Sequence, residues 1–513
     1  MSRRKNSLNN TAIALFSEIV VALVGFFLPN AIIVNYGSEA NGLITSLQQL
    51  IQYFTLIEAG LSGAAIFALY QPLAENNIDC VNRILYSAKR LYFKMGIAFV
   101  LLVLAVSVIY PSLTAEVQYP HWMVSILFCL IGLNGATQLL FIGKYKVLLS
   151  ATQNNRYIVL INSISTCLFS LTIIICSYFR LHILITVLLA TSAYLFRALG
   201  YYYITRKKFP FFRYNIKYSV YEFHNQREVF IQQILSMVIM NSGIFILTFS
   251  KTEMTEISVF TTYNLVLNAV IMISNTVCNG VSASFGDLIV RQDKDHLRCV
   301  YREFEFLFQV FWTIIFSCVS VLYMPFMTIY SGVFEGIQYA KPTLCHLFTV
   351  LGAVWTIRIQ QSIIIVAAGK FKEIQKASII EALFTVALSV VGMYFGGMEG
   401  LILGRIIATI YRMIDFIHFN HRHILQFDSH FTYKGIFGSS CVVVGISMLL
   451  GIIQKHIIID TYFTWIIFAV FTAFLAGLSG ILVLSLIYRQ ESKRLLGKIR
   501  NVITKSIFRN CNK

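Results

Sequence analysis

Residues 407–419 read IATIYRMIDFIHF, and residues 192–204 read SAYLFRALGYYYI. Both are apolar enough for a lipid bilayer, and both carry an arginine at their sixth position, Arg412 and Arg197. An arginine in mid-membrane costs about +2.5 to +3.5 kcal/mol on insertion scales. Two of them at matching places, 215 residues apart, point to one helix written twice. Two further pairs agree. GLSGAAIFALYQPLAEN (60–76) is echoed by GVSASFGDLIVRQDKDH (280–296), and LLSATQNNRYI (148–158) by VAAGKFKEI (366–374). Near-constant spacing across three landmarks predicts a duplicated chain.

What surrounds these stretches is equally apolar. The 513 residues are 57% hydrophobic and only 12% charged, against about 25% charged in ordinary soluble domains. Many runs are long enough to cross a hydrocarbon core of about 30 Å, and the alternating ten-residue pattern of a membrane barrel is lacking. The fold class expected is therefore all-α and polytopic. Fourteen spans fall near 11–34, 41–70, 91–113, 121–149, 157–179, 182–205, 229–250, 256–289, 304–330, 343–369, 375–396, 398–419, 434–454 and 461–487. The repeat groups them as two six-helix bundles, spans 1–6 and 7–12, plus two C-terminal helices. The expected division is an N-terminal bundle (1–210), a basic linker (211–228), a C-terminal bundle (229–425), spans 13 and 14 (426–488) and a basic tail (489–513). Both bundles start and end on the same side, so a pseudo-twofold axis along the membrane normal and a central site are expected.

The net charge of +18 follows this topology and does not signal nucleic acid. Of 41 lysines and arginines, 33 fall on one side of the alternating loops, four on the other (Arg180, Lys251, Lys341, Lys455) and four inside spans. The positive-inside rule then places both termini in the cytoplasm. The same basic loops can attract anionic lipids. The ten cysteines are scattered without a CxxC pair, and we read them as packing residues. His418, His421 and His423 form an interfacial cluster rather than a metal site, so no metal and no cofactor are expected.

At this point the chain resembles a known group. The 6 + 6 + 2 arrangement, the short loops, the basic linker Arg206–Arg227 and the opening RRKNSLNNTAIALFSEIVVALVGFFLPNAIIVNYG, followed by EANGLITSLQQLIQYFTLIEAGLSGAAIFALYQPLAENN, are similar to the polysaccharide (Wzx-like) flippases. These belong to the multidrug/oligosaccharidyl-lipid/polysaccharide exporter superfamily. The resemblance implies a flippase in a bacterial cell membrane, turning an undecaprenyl-diphosphate-linked glycan from the inner to the outer leaflet beside other polysaccharide assembly proteins. Lipid II flippases carry arginines in the first span, whereas this one has Glu18. The alternatives are a multidrug exporter of the same superfamily and a membrane-embedded polymerase or acyltransferase. No outward loop is long enough for a polymerase domain, and His346, well within a span, lacks an evident acidic partner. The chain is expected not to be an enzyme. No Walker A motif appears, so an H+ or Na+ gradient or the membrane potential is the expected energy source.

The charges inside spans are the candidate site. Arg197, Arg358, Arg405 and Arg412 are candidates for a diphosphate or acidic sugar, because guanidinium matches phosphate geometry in a bidentate way. Arg405, Ala408, Thr409, Arg412 and Asp415 share one helix face. Arg412 and Asp415, one turn apart, can pair, while Gly200 occupies the matching place beside Arg197. Glu18, Glu58, Glu381 and Asp415 are candidate charge partners or ion-coupling groups.

Overall fold

The computed structural model describes residues 3–55, 57–114, 118–152, 154–210, 227–290, 293–332, 334, 337–370, 372–454, 456–457, 459–495 and 497. Every regular element among them is helical: α1 (Arg3–Thr55), α2 (Ile57–Ala74), α3 (Ile78–Leu113), α4 (His121–Thr137), α5 (Gly143–Ala151), α6 (Asn155–Tyr178), α7 (Ile183–Lys208), α8 (Arg227–Phe249), α9 (Met254–Val290), α10 (Lys294–Ser331), α11 (Pro342–Ala367), α12 (Gln375–Phe419), α13 (His430–Gln454) and α14 (Tyr462–Ile487). Two π-helical segments, Gln138–Ile142 and Asn420–Leu425, interrupt this series. Eleven helical stretches are long and apolar enough to cross a membrane. Two of these contain a break. Gly37 (φ 88°) divides α1, and Gly396 with Gly397 (φ 57°, ψ −142°) divides α12. A side chain would be strained at Gly37 and Gly397, and glycine is not. α4 and α5 form a single pass through the first π segment. The protein is thus an all-α, multi-pass membrane protein with about fourteen passes.

The repeat shows in the element boundaries. α3 begins at Ile78 and α10 at Lys294; α6 begins at Asn155 and α12 at Gln375. Packing groups the chain into two compact units. One comprises Met1–Leu265 with Phe334–Ile337, the other Val266–Val333 with Gln338–Lys513. The division by packing falls inside α9, whereas the division by repeat falls at the 211–228 linker, of which 211–226 lie outside the described residues. Side-chain bonding within the first unit accounts for the difference. Asn41 donates to Ser258 (2.7 Å), and the Ser46 and Thr248 hydroxyls lie 2.7 Å apart. Gly42 adds a steric reason, since a Cβ there would sit 1.7 Å from the Met254 carbonyl oxygen.

In the second unit, α14 shows how one helix serves two media. Phe468, Thr472, Ala476, Gly480 and Leu484 recur every four residues and are buried. Phe463, Val470, Phe474 and Leu486 lie off that stripe and are exposed. Such a surface suits lipid rather than water. Exposed aromatics also flank turns, as Tyr178 and Phe179 do at the end of α6 and Tyr394 and Phe395 before the α12 break. That is the pattern of an interfacial belt.

Glycines let the two arms of α12 touch. A Cβ on Gly404 would lie 2.4 Å from the Leu388 carbonyl, and one on Gly400 2.1 Å from the Gly392 oxygen. Small residues permit such backbone approach in membranes. Gly404→Leu is expected to destabilise by about 1–3 kcal/mol through overpacking against backbone that cannot rotate away. Gly445→Ala, with nothing within 4 Å of the added carbon, is expected to be neutral or stabilising by up to about 1 kcal/mol. Thermal unfolding midpoints of the two purified variants in detergent check the contrast; an unchanged Gly404→Leu midpoint would contradict it.

Candidate functional site

The intramembrane charges form two separate groups, one in each compact unit. In the first unit, α4 and its π segment organise the group. A π segment adds a residue to one turn and rotates the following side chains. Here Asn134, Thr137 and Gln138 serve two different charges. Arg197 on α7 directs its Nη2 at the Asn134 carbonyl (3.1 Å), the Asn134 Oδ1 (2.7 Å) and the Thr137 hydroxyl (3.4 Å). Gln138 Nε2 donates to Glu58 Oε2, and Lys146 Nζ lies 3.3 Å from Glu58 Oε1. Glu58 is buried. Its direct cationic partner is therefore Lys146, not Arg197.

Arg197 is half-buried and makes no ion pair within 4 Å among the described residues. The Tyr194 ring centroid lies 5.4 Å from its guanidinium carbon, and its Nε is buried without a hydrogen-bond partner. Its hydrogen-bond partners among the described residues are all neutral, so they orient the guanidinium without an ion pair, and Glu58 acts on it only from beyond 4 Å. Gly200 stands one turn later, where Asp415 follows Arg412 in the second copy. A Cβ there would be 3.3 Å from the Ile161 side chain on α6, a tight approach that a larger residue could meet only if Ile161 shifted. Glu18 lies in α1, and its side chain is outside the described residues.

The second unit answers the same problem differently. Glu381 on α12 lies between Arg358 and Arg412. Arg358 Nη2 is 2.9 Å from its Oε1 and 3.1 Å from its Oε2, and Arg412 Nε is 3.2 Å from Oε2. Arg412 Nη1 also pairs with Asp415 Oδ2 at 2.7 Å, and its Nη2 donates to Ser378 (2.5 Å) and the Ile374 carbonyl (3.4 Å). Phe416 packs on the Arg412 guanidinium at 4.1 Å and Trp355 on that of Arg358 at 4.7 Å, within cation–π range. The Arg412 side chain is 1% exposed, as is that of Glu381. Two arginines and two carboxylates balance, so the group is close to neutral. It is built to hold α11 and both arms of α12 together.

The face predicted on α12 is turned inward: Arg405, Ala408, Thr409 and Arg412 are all buried. Arg358, Glu381, Arg412 and Asp415 come together, and Arg405 lies two turns before Arg412 on the same helix. Sequence reasoning missed the neutral anchors Asn134, Thr137, Gln138 and Ser378. Serine and amide residues are common in membrane helices, and which of them face a charge depends on helix packing and on the π segment at Gln138–Ile142, neither of which leaves a sequence signal. The histidine cluster separates, with His418 and His423 exposed and His421 buried. His346 is exposed. Among the described residues no cluster suits a metal ion.

No family model and no curated protein matches the sequence. Solved structures do match in fold. The lipid II flippase MurJ in an inward closed conformation aligns with a TM-score of 0.68 at 13% identity, over 93% of this chain and 99% of that one. The MATE multidrug transporter DinF-BH, solved as a ligand complex, aligns at 0.61 and 13% identity, over 83% and 98%. An inward-facing multidrug resistance MATE family transporter of the MOP superfamily aligns at 0.59 and 12%, over 85% and 99%. The chain therefore has the transporter fold that these proteins share.

Proposed function

We propose that this protein is a flippase for a polyisoprenyl-diphosphate-linked oligosaccharide, of the undecaprenyl type, moved from the inner to the outer leaflet by alternating access. The observation that carries the reading is Arg197. It is a membrane-embedded guanidinium without a carboxylate within 4 Å among the described residues, fixed from one side by neutral oxygens. A diphosphate is the ligand chemistry that such a group fits, because charge-assisted bonds to phosphate gain strength away from water. The likeness in fold to a lipid II flippase and the short loops agree with a lipid-linked cargo. The membrane is that of a bacterial cell, both termini face the cytoplasm, the process does no covalent chemistry, and H+ or Na+ supplies the energy. Other polysaccharide assembly proteins would act beside it.

A second reading, export of organic cations, has one observation behind it: a multidrug transporter solved with its ligand shares the fold. The intramembrane groups argue against it. Arg197 adds positive charge, and Glu381 and Asp415 are already paired with arginines. Purified protein in proteoliposomes separates the readings. A fluorescent polyprenyl-diphosphate glycan should cross the bilayer faster than in protein-free vesicles, and a cationic dye should not. Dye transport without glycan transport would reverse the assignment.

A further inference from the structure

We propose that Glu305, Thr432 and His421 form a proton-binding relay in the second unit, holding one shared proton, with access through a cavity lined by Arg302 and Phe427. This site is distinct from the arginine–carboxylate group and does not depend on which cargo is moved.

The geometry is a continuous chain. Glu305 on α10 is 0% exposed. Its Oε2 lies 3.0 Å from Thr432 Oγ1 on α13, and Thr432 Oγ1 lies 2.9 Å from His421 Nε2 in the second π segment. His421 Nδ1 lies 3.0 Å from the Phe427 carbonyl oxygen. Tyr301 approaches the same threonine at 3.3 Å, and its hydroxyl has Gln361 Oε1 as an acceptor at 3.3 Å. Asn420 donates to that same Gln361 oxygen at 3.1 Å.

Counting protons decides what the chain can hold. The Phe427 carbonyl only accepts, so His421 Nδ1 carries a hydrogen. In a neutral imidazole, Nε2 is then an acceptor and needs the single hydroxyl proton of Thr432. Glu305 must in turn donate to Thr432, which requires a protonated carboxyl. The alternative moves two protons together. The carboxyl proton goes to Thr432 Oγ1 and the Thr432 proton goes to His421 Nε2, giving a carboxylate and an imidazolium at unchanged total charge. Both arrangements give each link of the chain, from Glu305 Oε2 to the Phe427 carbonyl, one donor and one acceptor. Removing the shared proton leaves Glu305 and His421 Nε2 competing for the Thr432 hydrogen, and the other hydroxyl at the site, Tyr301, can supply one only by giving up its bond to Gln361. Adding another leaves a donor without an acceptor. Either change breaks a buried bond between α10, α13 and the π segment, which lowers stability enough to be read as a shifted unfolding midpoint. Proton loading is thereby tied to how these elements pack. Glu305 Oε1 has no hydrogen-bond partner, a lack less costly for a neutral carboxyl than for a carboxylate.

The neighbouring charges leave the relay in control of its own proton. Arg302 and Glu491 face the site and pair with each other at 3.9 Å, while Asp428 and Tyr488 lie nearby. A cavity of about 250 Å³ is lined by Arg302, Phe427, Asp428, His430, Phe431 and Lys434, among others. Phe427 also packs edge-on against His421, with ring centroids 4.5 Å apart. Its ring is thus the element that separates water from the imidazole.

Infrared spectroscopy of the purified full-length protein tests this directly. The carbonyl band of a protonated carboxylic acid should appear at neutral pH, vanish in alkali together with a change in the imidazole modes, and be absent from Glu305→Gln. Thr432→Val should split that joint titration into two separate steps, and Thr432→Ser should restore one. A band unchanged in Glu305→Gln, or a titration unchanged in Thr432→Val, would overturn the relay. Because Thr432→Val nearly conserves shape, its thermal midpoint shows whether it folds, and the serine variant keeps the test decisive if it does not. Glycan transport is not the readout, so failure here is separable from failure of the flippase reading.

Discussion

Replacing Glu381 with alanine is expected to cost about 3–5 kcal/mol of stability, the largest structural effect of any substitution considered for this chain. The glutamate is the common partner of Arg358 and Arg412. Its loss leaves Arg358 without a carboxylate within 4 Å among the described residues, and leaves Arg412 with Asp415 alone, the more exposed of its two partners at 31%. A buried charge stripped of its partner carries the full desolvation penalty. A domain with a net stability of about 5–15 kcal/mol tolerates such a change poorly. The variant should accumulate at a small fraction of wild-type level and unfold at a lower temperature in detergent. Glu381→Ala combined with Arg358→Met and Arg412→Leu should recover much of the loss, since it removes both buried guanidinium charges with their shared carboxylate and leaves only Asp415, the partly exposed member of the group. Wild-type stability of Glu381→Ala would show that the glutamate is not the hub.

Arg197→Ala is expected to do the opposite: leave folding nearly intact and remove transport. Its partners are a backbone carbonyl, an amide and a hydroxyl, all neutral, so its removal strands no buried charge. Losing one charge-assisted contact to a diphosphate costs about 1.5–3 kcal/mol, a drop of roughly 10- to 150-fold at about 1.4 kcal/mol per decade. Arg197→Lys keeps the charge but loses the fork, and should fall between. The measurement is the initial rate of fluorescent lipid-diphosphate glycan translocation in proteoliposomes, normalised to folded protein. Equal rates for Arg197→Ala and wild type would remove Arg197 from the substrate path. Arg412→Ala is the informative contrast: it should lower stability first, because Arg412 pairs with Glu381 and Asp415 and donates to Ser378 and the Ile374 carbonyl.

The repeat and the charges were legible because the bilayer restricts the alphabet. Arg197 and Arg412 stand out against apolar neighbours, and helical spacing alone places Asp415 beside Arg412. Glu381 is different. Nothing in the sequence says that one carboxylate bridges two arginines on different helices, since that depends on how α11 and the arms of α12 are brought together at Gly396–Gly397. Glu58 pairs with Lys146 for a similar reason: the π segment at Gln138 rotates the end of that span toward α2. Glu305, one of several charges at the basic end of a long helix beside Arg302 and Glu303, reads like any interfacial residue until α13 and the second π segment close over it.

By itself, the sequence determined the membrane class, the approximate number of passes, the duplication and that Arg197, Arg358, Arg405 and Arg412 lie inside spans. All of these follow from local composition and from periods along a single helix, which the hydrocarbon core enforces pass by pass. Only the tertiary structure decided which charges are cancelled and which remain, and that the first compact unit extends to Leu265. Those outcomes rest on contacts between helices far apart in sequence. Such contacts are set by backbone approach at glycines such as Gly42 and Gly404 and by two π segments, whose energies are small and leave no periodic mark.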